Sequence, residues 1–291
     1  MTAASSSSMM KRETRVRYGR APRSLRDEPL AEMQWQMGDQ QFLLRGVGHH
    51  YFHYRKGAGV TIERGPGADL TEESLWLNGS VHAAIASLNG LLPIHASAVA
   101  VDGQVFAFTG PGGAGKSTLV AALGDFGLPL YCDDTLVLDL SNPDRIECLP
   151  GHKRLKLTPR ALTLTSATPE EKVSLTVEKF YARSAAGDVN IPLPLAQLIF
   201  LEVGPDAHIS AISGAERFVS IQDDHYTASL FASATQLDQF ERFAHVSRLA
   251  RQIDMARFVR PFDDVQFVAG VALAAQHVTK SRSMGHAACG P

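Results

Sequence analysis

The chain has 291 residues, 28 Lys and Arg against 30 Asp and Glu, a net charge of −2, and 45% apolar and 20% charged residues. That length buries a substantial core in one or two domains, and the balanced charge gives no basic field of the kind that gathers nucleic acid. No apolar run approaches the roughly 20 residues that cross a bilayer, and Cys132, Cys148 and Cys289 have no metal-type spacing, which points to a reducing cytoplasm.

Residues 1–28 open on a serine run and then carry Lys11, Arg12, Arg15, Arg17, Arg20, Arg23 and Arg26. Apolar residues there are too sparse for a packed element, so the segment reads as a disordered basic tail. An organellar transit peptide or an arm for an acidic peptide has a similar composition. Phe42-Leu43-Leu44, Tyr51-Phe52-His53-Tyr54 and Val60-Thr61-Ile62 follow, separated by glycine-containing turns, and read as a small antiparallel meander. His49, His50 and His53 lack an accompanying Cys or carboxylate and read as structural histidines, not as metal ligands. A helix comes next, capped by Asp69 with Glu72 or by Thr71. Leu77, Val81, Ala84, Ile85 and Leu88 line one side, and Gly90 stops it.

Ile94 to Val101 and Gln104 to Phe108 are β-prone runs joined by Asp102-Gly103, a strong two-residue hairpin signal. The hairpin brings His95, near the start of its first strand, close to the end of the second. There the stretch Gly110-Pro111-Gly112-Gly113-Ala114-Gly115-Lys116-Ser117 fits G-x-x-x-x-G-K-[ST]. Its glycines let the backbone take positive φ and approach a ligand closely. Successive N–H groups form an anion nest, and the helix beginning at Ser117 adds the positive end of its dipole. Strand, glycine-rich turn and helix are the setting of a P-loop. In that setting residues 110–118, including Thr118, bind a nucleotide, Lys116 reaches the β- and γ-phosphates, and Ser117 binds Mg²⁺.

Leu128 to Cys132 leads into Asp133-Asp134, 17 and 18 residues after Lys116, the span of a helix and a returning strand. The pair can therefore lie beside the phosphates. Adjacent strand residues face opposite ways, so one acid faces the metal and the other the substrate hydroxyl or His95. Glu202, at the end of the apolar run Leu198 to Leu201, competes for the metal role, although a plain strand-end acid is the simpler reading. Arg154 and Lys156 lie in the basic segment 152–156 and are candidate contacts for phosphate or substrate. Residues 160–192 have no clear pattern. Leu195 to Val203 and Ile209 to Ile212 read as paired strands, 214–222, 225–233 and 236–253 as helices, Phe258-Val259 as a strand and 264–277 as a helix. The sum is an α/β fold with nucleotide at the carboxyl end of a strand.

Taken together, His95-Ala96-Ser97-Ala98-Val99, Gly110 to Ser117, Asp133-Asp134 and Pro150 to Leu157 form an ordered set. It resembles the catalytic domain of HPr kinase/phosphorylase, and more closely the HPr-kinase-like proteins that accompany peptide-natural-product genes, including lasso-peptide kinases. The loop here reads GPGGAGKST where HPr kinases more often carry GDSGIGKSE. The resemblance implies a P-loop kinase domain over 91–278, behind a meander and helix at 29–90, with a disordered tail at 279–291. It implies ATP and Mg²⁺, and a serine on a protein or peptide as acceptor, with no nucleic acid or membrane and with room for a homo-oligomer. Asp133 then acts on the serine hydroxyl, Asp134 supports the metal with Ser117, and His95 joins their polar cluster. A nucleotide sensor without catalysis and a kinase for a small metabolite fit the same loop.

Overall fold

The computed structural model describes residues 2–26, 28–221, 226–234 and 238–285. They form a mixed α/β structure. No helix among them is long and apolar enough to cross a membrane.

The basic N-terminal segment is structured, contrary to the expectation from its composition. Thr2 caps helix α1 (Ala3–Glu13), its hydroxyl accepting the Ser5 N–H at 3.3 Å. Met9 and Met10 are buried, and Glu13 accepts from the Tyr54 hydroxyl at 3.0 Å and from the Gly57 N–H at 2.7 Å. Strand β1 (Val16–Tyr18) then runs parallel to a later strand. With so few apolar residues, these contacts and not local periodicity hold the segment. Strands β2 (Gln34–Gly38), β3 (Gln41–Arg45), β4 (His50–Arg55) and β5 (Gly59–Arg64) pair antiparallel in chain order, giving a sheet of order β1-β5-β4-β3-β2. Its inner face, with Phe42, Phe52, Tyr54 and Ile62 fully buried, packs against α1 and the helical stretch that follows.

That stretch is α2 (Glu72–Trp76), a π-turn (Leu77–Val81) and α3 (His82–Leu88), where periodicity alone reads one continuous helix. Gly79 departs from helical geometry at φ −100°, ψ −106°, the kind of local insertion that bends a helix. Strands β6 (Leu92–Ile94), β7 (Ala96–Val101) and β8 (Gln104–Thr109) come next, then α4 (Lys116–Gly124), β9 (Leu130–Cys132), β10 (Leu136–Asp139), β11 (Glu147–Leu149) and β12 (Leu155–Leu157). The patternless region 160–192 holds α5 (Pro159–Thr163), β13 (Thr168–Lys172) and β14 (Phe180–Arg183), and β12, β14 and β13 form a small antiparallel sheet of their own.

The chain closes with β15 (Leu193–Val203), β16 (His208–Ile212), α6 (Glu216–Ile221), α7 (Tyr226–Ser233), α8 (Gln239–Gln252), β17 (Asp254–Arg260) and α9 (Asp264–Gly285). Helix α9 continues through 280–285, which the composition reads as tail. The helical periods at 222, 225, 236 and 237, and residues 286–291 with Cys289, lie outside the described residues.

The central sheet runs β6-β10-β11-β15-β8-β7-β9, with β17 on β15 and β16 on β17. Strands β8, β15 and β17 are mutually parallel, with Phe108 opposite Ile199 and Leu201 opposite Phe258. Alternation along β15 gives two buried faces. Ile199 and Leu201 meet α4 and α9 through Leu119, Leu123, Phe267 and Val271. Leu198 and Phe200 meet α7 and α8 through Phe231 and Leu249. Each fully buried side chain of this size, Phe108 or Phe258 for example, stabilises the fold by about 1.5–3 kcal/mol.

Candidate functional site

The site begins where the three parallel strands end. The β7–β8 hairpin turns at Asp102 and Gly103, both with positive φ (48° and 77°), and its register sets Ala96 opposite Thr109. His95 thus stands beside the start of the glycine-rich loop, and the Thr109 hydroxyl donates to the His95 carbonyl at 3.0 Å. Gly110 takes φ 136°, and a Cβ there would lie 2.8 Å from the Leu201 carbonyl oxygen of the neighbouring strand. Gly112 and Gly113 face open space, so no protein atom fills the cradle they make. Gly115, at φ 82°, precedes α4, and a Cβ there would stand 2.6 Å from a guanidinium nitrogen of Arg260. Gly115→Ala combines left-handed strain with this clash. The expected result is a protein destabilised by about 1–3 kcal/mol in urea titration.

A second pair of chain segments faces the loop. Strands β6 and β7 are one run of chain interrupted at His95, and β9 and β10 are another interrupted at 133–135. They pair antiparallel on both sides of the break, Ala98 with Cys132 and Ile94 with Leu136. His95 and the two aspartates therefore face each other at one level of the sheet. The break is sharp because Asp134 adopts φ 74°, a conformation that Asp tolerates better than most residues, and the Thr135 N–H bonds back to the Asp133 carbonyl at 3.0 Å.

The two acids have different surroundings. Asp133 is fully buried. Its Oδ1 accepts from Ser117 at 2.8 Å and from Ser97 at 2.6 Å, and its Oδ2 accepts the Lys156 N–H at 3.0 Å. Asp134 keeps 17% of its side chain exposed and faces the cavity. Lys156 Nζ lies 2.6 Å from one of its carboxylate oxygens, and His95 Nδ1 lies 3.6 Å from the other. His95 Nδ1 also sits 2.8 Å from the Asp134 carbonyl. A carbonyl only accepts, so Nδ1 carries the hydrogen. Lys116, 6% exposed, folds back on its own loop and donates to the carbonyls of Gly110 at 2.8 Å and Pro111 at 3.1 Å.

A cavity of about 560 Å³ joins these groups. Gly112, Gly113, Gly115, Lys116, Ser117 and Thr118 line one side, and His95, Asp134 and Lys156 a second. Phe262, Phe267, Leu164 and Val173 form an apolar third side. Gly110, Pro111, Ala114 and Asp133 stand behind this lining. Arg154 is not among the cavity residues, contrary to its place among the candidate phosphate contacts. Its guanidinium bonds Glu170 at 2.7 Å and Glu171 at 2.5 Å and stacks 3.9 Å over the Tyr181 ring. Leu155 and Leu157 turn into the core, which leaves Lys156 on the cavity side; alternation would put Arg154 on that side too, and the two glutamates take it away. Glu202 is also outside the cavity, held by Arg257 at 2.6 Å.

Ser97, Arg260 and Phe262 belong to the site although their types and spacing give little signal. Ser97 reads as one polar position in an apolar strand. Arg260 ends β17, and its Nη2 donates to the Ala114 carbonyl at 2.7 Å. The one available hint is that 260–264 follows a strand parallel to the one feeding the loop, and ligands in open α/β sheets gather at such carboxyl ends.

Next to Asp133 lies a hollow of about 420 Å³ of mixed lining, bordered by His82, His152, Glu73 and Asn78 among apolar residues such as Val60, Leu77 and Ile85. The His152 carbonyl accepts the Asp133 N–H at 3.2 Å, which ties this hollow to the site. Burial pushes His82 and His152 each down to about 4. Between pH 6.5 and 4 the unfolded chain therefore binds protons that the folded chain refuses, and stability falls as pH falls through that window. The expected result is a urea midpoint that is steady above about pH 6.5 and declines toward pH 4. The decline is shallower in His82→Gln, measured by fluorescence at each pH.

No protein-family model matches the chain, and no curated protein matches its sequence. Among solved structures, the Hpr(Ser) kinase/phosphatase of Coxiella burnetii overlaps it at 14% identity and a TM-score of 0.35, covering 67% of this chain and 95% of that one.

Proposed function

We propose that the protein is an ATP- and Mg²⁺-dependent kinase that transfers the γ-phosphoryl group to a hydroxyl. The acceptor favoured by the sequence resemblance is a serine on a small protein or peptide. The observation that carries the reading is the 2.8 Å bond between Ser117 of the glycine-rich loop and the buried Asp133, with Asp134 facing the same cavity one residue on. A phosphate cradle and two separately disposed acids are what phosphoryl transfer by positioning and electrostatics requires.

The residues present fit the groups this chemistry needs. Gly112 and Gly113 leave a cradle that no protein atom enters, and Ser117 Oγ, which lines the cavity and is held from behind by Asp133 Oδ1, is a hard oxygen donor of the sort Mg²⁺ takes alongside phosphate oxygens. Bound there, Mg²⁺ would supply neutralisation of charge on the phosphates. The roles of the two acids are exchanged relative to the sequence reading. Asp133 is saturated by three donors and screened from the cavity, so it supports Ser117 and the metal. Asp134 is open to the cavity and takes the hydroxyl proton as the acceptor oxygen bonds to phosphorus and the bond to the leaving diphosphate breaks. Lys156 and His95 orient Asp134. Lys116 leaves its two carbonyls for the phosphates.

The test is incubation of the full chain with γ-labelled ATP, Mg²⁺ and serine-containing peptides, followed by mass spectrometry of the acceptor. Phosphoserine on a peptide supports the reading. Tight ATP binding with no labelled product on any peptide points to a nucleotide sensor, and label on a small metabolite moves the acceptor class.

A further inference from the structure

Arg260 is an unusual residue for the wall of a cavity. Its side chain is 7% exposed, yet its Nε has no hydrogen-bond partner and its Nη2 donates only to a neutral acceptor, the Ala114 carbonyl. Burial alone draws its pKa below the ordinary guanidinium value, and no carboxylate acts in the opposite direction. A buried charge without a counter-charge is among the costliest groups in a protein interior. The fold nevertheless makes room for it. Gly115 lets the guanidinium approach where any Cβ would collide, and β17 places it at the carboxyl end of the strand next but one to the strand that feeds the loop. Arg260 borders the cavity together with Gly113, Gly115, Lys116 and Phe262.

We infer that Arg260 is a second phosphate-binding cation of this site, with the phosphate chain of a bound nucleotide as its missing counter-charge. The inference rests on the nucleotide reading above and adds a residue to it. Lys116 and Arg260 both grip the loop, Lys116 at the carbonyls of Gly110 and Pro111 and Arg260 at that of Ala114. Phosphate oxygens entering the cavity meet the guanidinium where Arg260 borders it, and a guanidinium suits that task because it remains charged when dry.

Two variants of the full chain separate this role from mere support of the loop. Arg260→Met removes charge and donors. Arg260→Gln removes the charge but keeps a neutral amide donor on a shorter side chain. Binding is measured calorimetrically with Mg-ATP and with tripolyphosphate, which has phosphates but no base, and melting is followed with and without each. Both variants are expected to lose roughly tenfold to a hundredfold in affinity for ATP and tripolyphosphate alike. Without ligand, Arg260→Met is expected to melt no lower than the wild type, because a charge without a partner has gone. The inference is overturned if Arg260→Gln binds tripolyphosphate as the wild type does, or if Arg260→Met melts lower without ligand while its ligand-induced rise is unchanged. A wild type that binds neither ATP nor tripolyphosphate would remove the nucleotide reading itself.

Discussion

Lys116→Ala is expected to abolish ATP-dependent transfer, with a drop of about a hundredfold to a thousandfold or more in the single-turnover rate. The ammonium sits at the base of the loop, 6% exposed, with its charge held over the cradle by the carbonyls of Gly110 and Pro111. Those carbonyls are weak anchors for a full charge, and phosphate oxygens are stronger ones. Removing the ammonium leaves the charge that develops on the phosphoryl oxygens without its main protein partner. Lys116→Arg should rescue little, since a planar guanidinium is wider than the space between two carbonyls of one turn. The measurement is chemical quench with γ-labelled ATP, alongside calorimetric binding to show how much of the loss lies in affinity. Transfer at the wild-type rate in Lys116→Ala would end the proposed role.

The two aspartates should fail differently when changed one at a time. Asp134→Asn is expected to lower the transfer rate by about a hundredfold to ten-thousandfold while ATP binding stays close to that of the wild type, because the group that accepts the proton is lost and the cradle is untouched. Asn is the right probe here: position 134 is left-handed at φ 74°, which Asn tolerates, whereas Ala would add backbone strain to the chemical loss. Asp133→Asn leaves Ser97, Ser117 and the Lys156 N–H competing for a neutral amide in a site with no solvent. Its expected signature is weakened Mg²⁺-dependent nucleotide binding together with a stability loss of about 1–3 kcal/mol. If Asp133→Asn bound nucleotide normally and only turnover fell, while Asp134→Asn lost metal-dependent binding, the roles would revert to the order read from sequence.

The candidate site was legible in sequence to the extent that its chemistry is local. Gly110 to Ser117 carries its phosphate-cradling character in eight consecutive residues, and Asp102-Gly103 carries the turn that brings His95 to it. The division of labour between Asp133 and Asp134 was not legible. Alternation predicts that the two point apart, but which faces the cavity is decided by the left-handed turn at Asp134 and by the hydroxyl of Ser97, far away in sequence. Arg154 and Lys156 look equivalent in a basic segment, and only Glu170 and Glu171, on a strand hidden in patternless sequence, take Arg154 away. The structure of residues 2–18 is not legible in sequence because it comes from Met9, Met10 and Glu13 meeting a sheet formed later in the chain, a tertiary effect with no periodic trace.

His95 and the aspartates sit where two neighbouring strands are cut at the same height, so the groups proposed to react belong to the sheet itself and not to a surface loop. The surfaces opposite them come from elsewhere: α5, the small sheet of β12 to β14, and the start of α9. Those surfaces can be exchanged without moving the cut strands. On the proposed kinase reading, acceptor preference should therefore be set by 158–179 and 262–267, and grafting these two stretches is the economical way to redirect it.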